Sequence, residues 1–347
     1  MSQQARARWK IILNIATFIG MLILVLALRN QIIDSFNNIR HVRWGWLLLL
    51  PVWQLLNYDA YARQNKDLFL ILGKKVSYKF LYKVNLELNF VNHVFPSGGV
   101  SGFSYFGLRL KDKGISGAQA SLVQLLRFVL IYVAFIVLLV GALLMLSFSG
   151  NVNPFVLLVG GSISTLIIVG TAGMAFIIGS RRRINAFFGF LTKIINRVIY
   201  VIRRNHPETI SVENAKHAFE DLHQNYLIIR KDYRVLKWPL IWSLSANLTE
   251  IATVYTVYLA FGHMVNPGAI ILAYALANAA GFLSILPSGV GVYEALMTTV
   301  LAIGGVPPAI SLPVTVMYRV LSMLIQLLPG YIFYHKRMKL KPVKSAK

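Results

Sequence analysis

Six full-length apolar runs mark the chain, at about 11–28, 44–62, 118–147, 155–179, 238–261 and 310–335. Each approaches or exceeds the roughly 20 apolar residues that a helix needs to cross a bilayer. Two further apolar regions, about 79–111 and 268–303, are each broken near the middle. The first break reads Phe95-Pro96-Ser97-Gly98-Gly99-Val100 and the second Leu286-Pro287-Ser288-Gly289-Val290-Gly291. Neither half of a broken region is long enough to cross alone, so each region predicts a re-entrant helical hairpin that enters and leaves on one side. Such backbone must be buried in protein or line a cavity, because lipid cannot satisfy its free N–H and C=O groups.

The two breaks belong to a longer repeated pattern. Gly114-Ile115-Ser116 begins 18 residues after Pro96, and Gly305-Val306-Pro307 begins 18 residues after Pro287. An apolar helix with one arginine inside it follows each: Arg127 lies 31 residues after its proline and Arg319 lies 32 after its own. Repeats that interrupt apolar segments with Pro and Gly point to a transporter's substrate site. The chain is therefore expected to be an all-α, polytopic integral membrane protein, one transmembrane domain over 1–347. Repeat 1 covers about 44–147, a basic connector about 181–237, and repeat 2 about 238–335.

Charge changes the picture by fixing orientation. The net charge is +23, from 35 Lys and Arg against 12 Asp and Glu. In a soluble chain that balance would suggest nucleic acid; here the basic residues lie between apolar runs, so nucleic acid is not an expected partner. With the N-terminus in the cytoplasm, Arg6, Arg8, Lys10, the run from Arg63 to Lys83, Arg109, Lys111, Lys113, the run from Arg181 to Lys237 and everything from Lys336 on fall inside. Only Arg29, Arg40 and Arg43 fall outside. That asymmetry predicts a multi-pass protein of a bacterial cytoplasmic membrane with both termini cytoplasmic. It also makes the two span–hairpin–span units inverted copies, with the first hairpin entering from the cytoplasm and the second from outside. The basic, then apolar, N-terminus resembles a signal peptide, but it has no small-residue cleavage site and reads as an uncleaved span. Residues 211–231 predict an amphipathic helix lying on the anionic leaflet, with Ser211 as N-cap. Cysteine is absent, which excludes disulfides and thiol metal sites.

Chemistry is expected at the breaks. A half-helix beginning after Pro96 or Pro287 presents free N–H groups and the positive end of a dipole. Two such starts facing each other make an anion pocket, to which Ser97, Ser101 and Ser288 add hydroxyl donors and Gly98, Gly99, Gly289 and Gly291 give close backbone approach. Asn92 and His93 precede the first break. Arg127 and Arg319 are costly in a span and are expected to face a partner or an anion. Glu87, Glu250 and Glu294 are the carboxylates at similar depth, and either ion pairing or substrate contact fits the arginines. Enzyme motifs are lacking: no Gly-x4-Gly-Lys loop, no His-Glu-x2-His and no Gly-x-Ser-x-Gly. No cofactor or metal is expected, and no catalytic residue is assigned.

Three stretches carry a resemblance: Asn92 to Ser116, Leu286 to Pro307 with its Pro-Ser-Gly-Val-Gly-x-x-Glu turn, and Tyr318-Arg319. There the chain resembles the flippase-like membrane domain of the lysylphosphatidylglycerol synthase transmembrane family. The resemblance implies a lipid translocator and covers nearly the whole length, without the aminoacyl-transferase domain fused in some relatives. Many relatives carry an acidic residue and an arginine soon after the first break, and an acidic residue beside the next span's arginine. Here those positions read Ser101-Gly102-Phe103, and Leu126 precedes Arg127.

The expected function is binding and translocation between leaflets of an anionic or phosphate-bearing lipid, a membrane phospholipid or a polyprenyl-phosphate-type lipid. One alternative is a non-transporting protein that presents a lipid to a separate glycosyltransferase or synthase. The other is a membrane-embedded transferase. A lipid-modifying enzyme and a second copy of the chain are the candidate protein partners. The expected site comprises Asn92, Pro96, Ser97, Gly98, Gly99, Ser101, Arg127, Pro287, Ser288, Gly289, Gly291, Glu294 and Arg319. Arg319 is expected to be the more sensitive arginine, because its repeat retains Glu294.

Overall fold

The computed structural model describes residues 42–94, 100–148, 232–281 and 291–340, with scattered positions between 154 and 186. The described residues are helical and contain no strand. In chain order the helices are α1 (Trp44–Leu47), α2 (Leu50–Ile71), α3 (Tyr78–Val94), α4 (Val100–Lys111), α5 (Gly117–Phe148), α6 (Lys237–Ala260), α7 (Pro267–Gly281), α8 (Val292–Ile303) and α9 (Pro308–Leu340). Most boundaries follow the apolar pattern closely; the run at 44–62 instead divides into α1 and an α2 that continues to Ile71. Both broken regions are short helix pairs, α3 with α4 and α7 with α8. The first span, 11–28, the amphipathic segment 211–231 and both Pro-Ser-Gly turns lie outside the described residues.

Local chemistry explains the helix ends. Ser116 caps α5 reciprocally: its hydroxyl accepts from Gln119 N–H (3.2 Å) and the Gln119 side chain accepts from Ser116 N–H (3.3 Å). Asn266 does similar work for α7, accepting from Gly268 N–H at 2.8 Å. Four helices stop at a glycine with positive φ: Gly73 after α2, Gly114 after α4, Gly262 after α6 and Gly305 after α8. The residue after each glycine donates back to a carbonyl of the last turn, Lys74 to Phe69, Ile115 to Leu110, His263 to Tyr258 and Val306 to Leu301. This is the left-handed stop that only glycine adopts without strain.

Helices α2 and α6 form the most extensive pair and stand at the centre. Around them α3 packs on α2 and α9, α7 packs on α6 and α5, α4 lies between α3 and α5, and α8 lies between α7 and α9. Helix α5 also touches α2 and α6, and so does α9. Two close crossings brace the assembly. A Cβ added to Gly330 of α9 would stand 2.6 Å from the Leu86 carbonyl of α3, and one added to Gly268 of α7 would stand 2.6 Å from the Ala142 carbonyl of α5. Each glycine is therefore required for backbone-to-backbone approach, as small residues allow between membrane helices.

Polarity is distributed inside out. The α2–α6 seam is polar: Asn57 donates to the Ala246 carbonyl and to Thr249, Gln64 to Ser243, Trp53 to Thr256 and Trp242 to Asp67. The outward surface is apolar, with Leu48, Val52, Leu55, Val137, Val140, Leu144, Phe148, Leu324, Leu328 and Ile332 all exposed. An exterior of large aliphatic side chains over a polar seam suits lipid rather than water. Helices α5 and α9 are long and apolar enough to cross a membrane by composition. Helix α2 falls short because it carries the charged Asp59, Arg63, Lys66 and Asp67 as well as an inward polar stripe of Gln54, Asn57, Tyr61, Gln64 and Asn65.

Candidate functional site

The two intrahelical arginines sit in different environments. Arg319 of α9 is buried and donates through Nη1 to Glu294 of α8. Its guanidinium also lies 4.7 Å from the centre of the Tyr293 ring. The other Glu294 oxygen accepts from the backbone N–H of Gly291 at 2.7 Å, at the start of α8. Gly291 has φ +86°, which turns the chain into the helix. One carboxylate thus serves both the arginine and the helix N-terminus, two positive features that favour it. For Arg319 the ion pair is thus formed, and substrate contact is compatible with it if the pair opens.

Arg127 of α5 is half-buried, and its guanidinium lies 4.0 Å from the centre of the Tyr61 ring of α2. No carboxylate among the described residues comes within salt-bridge distance of it. The residue types explain this difference between the arginines. Leu126 stands beside Arg127, and Ser101-Gly102-Phe103 supplies no acid at the start of α4, whereas α8 brings Glu294 to Arg319.

The other two carboxylates do not pair with either arginine. Glu87 of α3 is held by Arg109 of α4, with Nη2 at 2.9 Å from one oxygen and Nε on the other. Tyr105 donates to the same carboxylate at 2.7 Å, and Phe80 lies under the guanidinium. Arg109, counted with the cytoplasmic loop charges in the sequence, is thus an interhelical partner and only 12% exposed. Glu250 lies at mid-length in α6, where Tyr318 of α9 donates to it at 3.3 Å.

Of the residues assigned from sequence, Arg127, Arg319, Glu294 and Gly291 lie on the described inner helices. Asn92 is near the end of α3, with its side chain against Gly102 of α4. Ser101 falls in the first turn of α4. Pro96, Ser97, Gly98, Gly99, Pro287, Ser288 and Gly289 lie outside the described residues. His93, whose Nδ1 is 2.7 Å from the Asn89 carbonyl, makes a local helix contact. The sequence reading missed Tyr61 and Tyr293, the rings under the two arginines. The polar stripe of α2 at helical spacing would have marked Tyr61 as inward-facing.

The sequence pattern of the lysylphosphatidylglycerol synthase TM region matches residues 11–330. The chain belongs to this family. It is similar to a UPF0104 membrane protein of Methanocaldococcus jannaschii, 22% identical over 296 residues that make up 83% of each chain. A UPF0104 membrane protein of Methanothermobacter thermautotrophicus is 28% identical over 135 residues, 39% of this chain and 38% of that protein. The latter match thus spans well under half of its relative's length. Membership makes this a membrane protein with the family's transmembrane region, and the relatives are archaeal membrane proteins.

Proposed function

We propose that this protein binds an anionic or phosphate-bearing lipid and carries it between the leaflets of a bacterial cytoplasmic membrane, with both termini cytoplasmic. The observation that carries the reading is Arg127, a guanidinium within an apolar helix, stacked on Tyr61 and without a carboxylate among the described residues. A charge in that position is costly unless something neutralises it, and a lipid phosphate is the anion a membrane supplies. Arginine suits phosphate because its planar donors match the oxygen geometry.

The fold supports transport through its helix pairings. Exchanging α2 with α6, α3 with α7, α4 with α8 and α5 with α9 carries each packing contact among these helices onto another that is present. The four left-handed glycines exchange likewise, Gly73 with Gly262 and Gly114 with Gly305. We read this as two inverted repeats, each holding a re-entrant hairpin, an arrangement that offers two alternative conformations of one site. Ser97, Ser101 and Ser288 are the hydroxyl donors we propose for the same anion. The expected outcome is that purified protein in liposomes moves head-group-labelled phosphatidylglycerol to the opposite leaflet, read by a membrane-impermeant quencher. Binding of that lipid without movement favours the lipid-presenting alternative. Absence of both sinks the proposal.

A further inference from the structure

The outward surface of the longer helices is made of large side chains, and α8 departs from that rule. After Val292 in its first turn, its exposed positions are Ala295, Thr299 and Ala302, which share one helical face. With Pro308 and Leu312 of α9 they line a groove of about 610 Å³, within the size range of ligand sites. Its walls offer mainly carbon. Thr299 turns its hydroxyl back to the Ala295 carbonyl at 2.7 Å, and the hydroxyl of Thr298 is buried beneath the surface. From Ala295 to Ala302 the helix rises about 10 Å, roughly two-thirds of the depth of one leaflet's hydrocarbon. At its lower end, Ala295 lies one turn from Gly291, the last residue of the second break.

We propose that the α8–α9 groove is an acyl-chain site, which holds one tail of the phospholipid whose anionic head group lies at the start of α8. The head group rests on the lipid-binding reading above; the groove adds where the tail goes. An extended hydrocarbon chain has the length and the chemistry of the groove, and the bilayer supplies it. A helix of a second copy is the rival occupant. Helices that associate in lipid use hydroxyl side chains across the contact, and both threonines here withdraw theirs, which favours the chain.

The energetics assign the groove a limited part. Moving a tail from the bilayer into the groove exchanges one apolar setting for another, so the hydrophobic effect adds little affinity. Affinity therefore comes from the head group, and the groove sets orientation. A tail laid along α8 keeps its hydrocarbon on the membrane-facing side of the protein, away from the polar seam between α2 and α6. Filling the groove should accordingly displace the tail and leave head-group binding as it was.

The experiment uses the full-length protein in phosphatidylcholine liposomes that contain a trace of phosphatidylglycerol with a photoactivatable diazirine in mid-chain. Labelled residues are mapped by mass spectrometry. The probe is kept at constant mole fraction while the host lipid is replaced by unlabelled phosphatidylglycerol. Labelling between Ala295 and Leu312 should fall about tenfold for each tenfold rise in phosphatidylglycerol once the site is saturated. Labelling at Val137 and Val140, exposed on α5, should stay constant, because boundary lipid exchanges by mole fraction. Ala302→Phe, which fills the groove from an exposed position, should lose the competed label and still bind dihexanoyl phosphatidylglycerol like wild type; Ala295→Phe is read in the same way. Groove labelling that tracks mole fraction as α5 does, or that persists in both filled variants, overturns the chain site while head-group binding stands. Failure of wild type to bind dihexanoyl phosphatidylglycerol locates the fault in the lipid-binding reading, and the chain site falls with it. The chain has no cysteine, so Thr299→Cys reports on the rival: disulfide-linked dimers through this position in liposomes overturn the proposal in favour of a second copy.

Discussion

Arg127→Gln is expected to weaken binding of anionic lipid by roughly 10- to 100-fold, the equivalent of losing one charge-assisted hydrogen-bonded contact of about 1.5–3 kcal/mol. Glutamine keeps hydrogen-bonding capacity and loses the charge, so the substitution tests charge rather than bulk. Stability should not fall with it. Arg127 leaves no buried carboxylate behind when its charge is removed, because none among the described residues is paired with it. Phosphatidylglycerol binding and thermal denaturation of the same preparation check both halves of the statement. Normal binding by a folded Arg127→Gln protein would make the Tyr61–Arg127 stack structural and remove the anion site.

Arg319 and Glu294 should behave in the opposite way. Glu294→Gln strands a buried guanidinium and takes the carboxylate from the start of α8. Arg319→Gln strands the carboxylate. Breaking a buried pair from one side costs about 3–5 kcal/mol, so each single variant should denature at clearly lower temperature. The double variant Glu294→Gln, Arg319→Gln leaves no uncompensated charge and should recover much of the loss, giving a large interaction term in a double-mutant cycle. Additive losses would mean that the two side chains do not act as a pair. The sequence favours Arg319 as the more lipid-sensitive arginine because Glu294 is present. We propose the opposite order, because Glu294 pairs with Arg319 while no carboxylate among the described residues lies within salt-bridge distance of Arg127.

Much of the framework could be read from the chain. Most described helices end within a few residues of the apolar runs, although α2 continues to Ile71, well past the run drawn to 62, and Gly114 and Gly305 stop the short helices where the repeated motif placed them. Periodicity is a local signal, and it carries boundaries well. Partner choice is not local. Glu87 and Arg109 are 22 residues apart and Glu294 and Arg319 are 25 apart, and their pairing depends on how neighbouring helices are rotated against each other. Counting Arg109 as a loop charge followed from its place at the end of an apolar segment. The packing of α4 on α3 turned it inward instead. Tyr61 escaped notice for a related reason, since an aromatic in an apolar run looks like any other span residue until the polar stripe around it is traced.

The glycine crossings at Gly268 and Gly330 bear on how such a molecule can move. Backbone in direct contact with backbone has no side chain between to deform, so these crossings resist sliding and separation more than they resist tilting. They join α7 to α5 and α9 to α3, linking opposite halves of the chain at two points. The α2–α6 interface joins the same two halves along its length, so the glycine crossings reinforce that interface and do not act as isolated hinges.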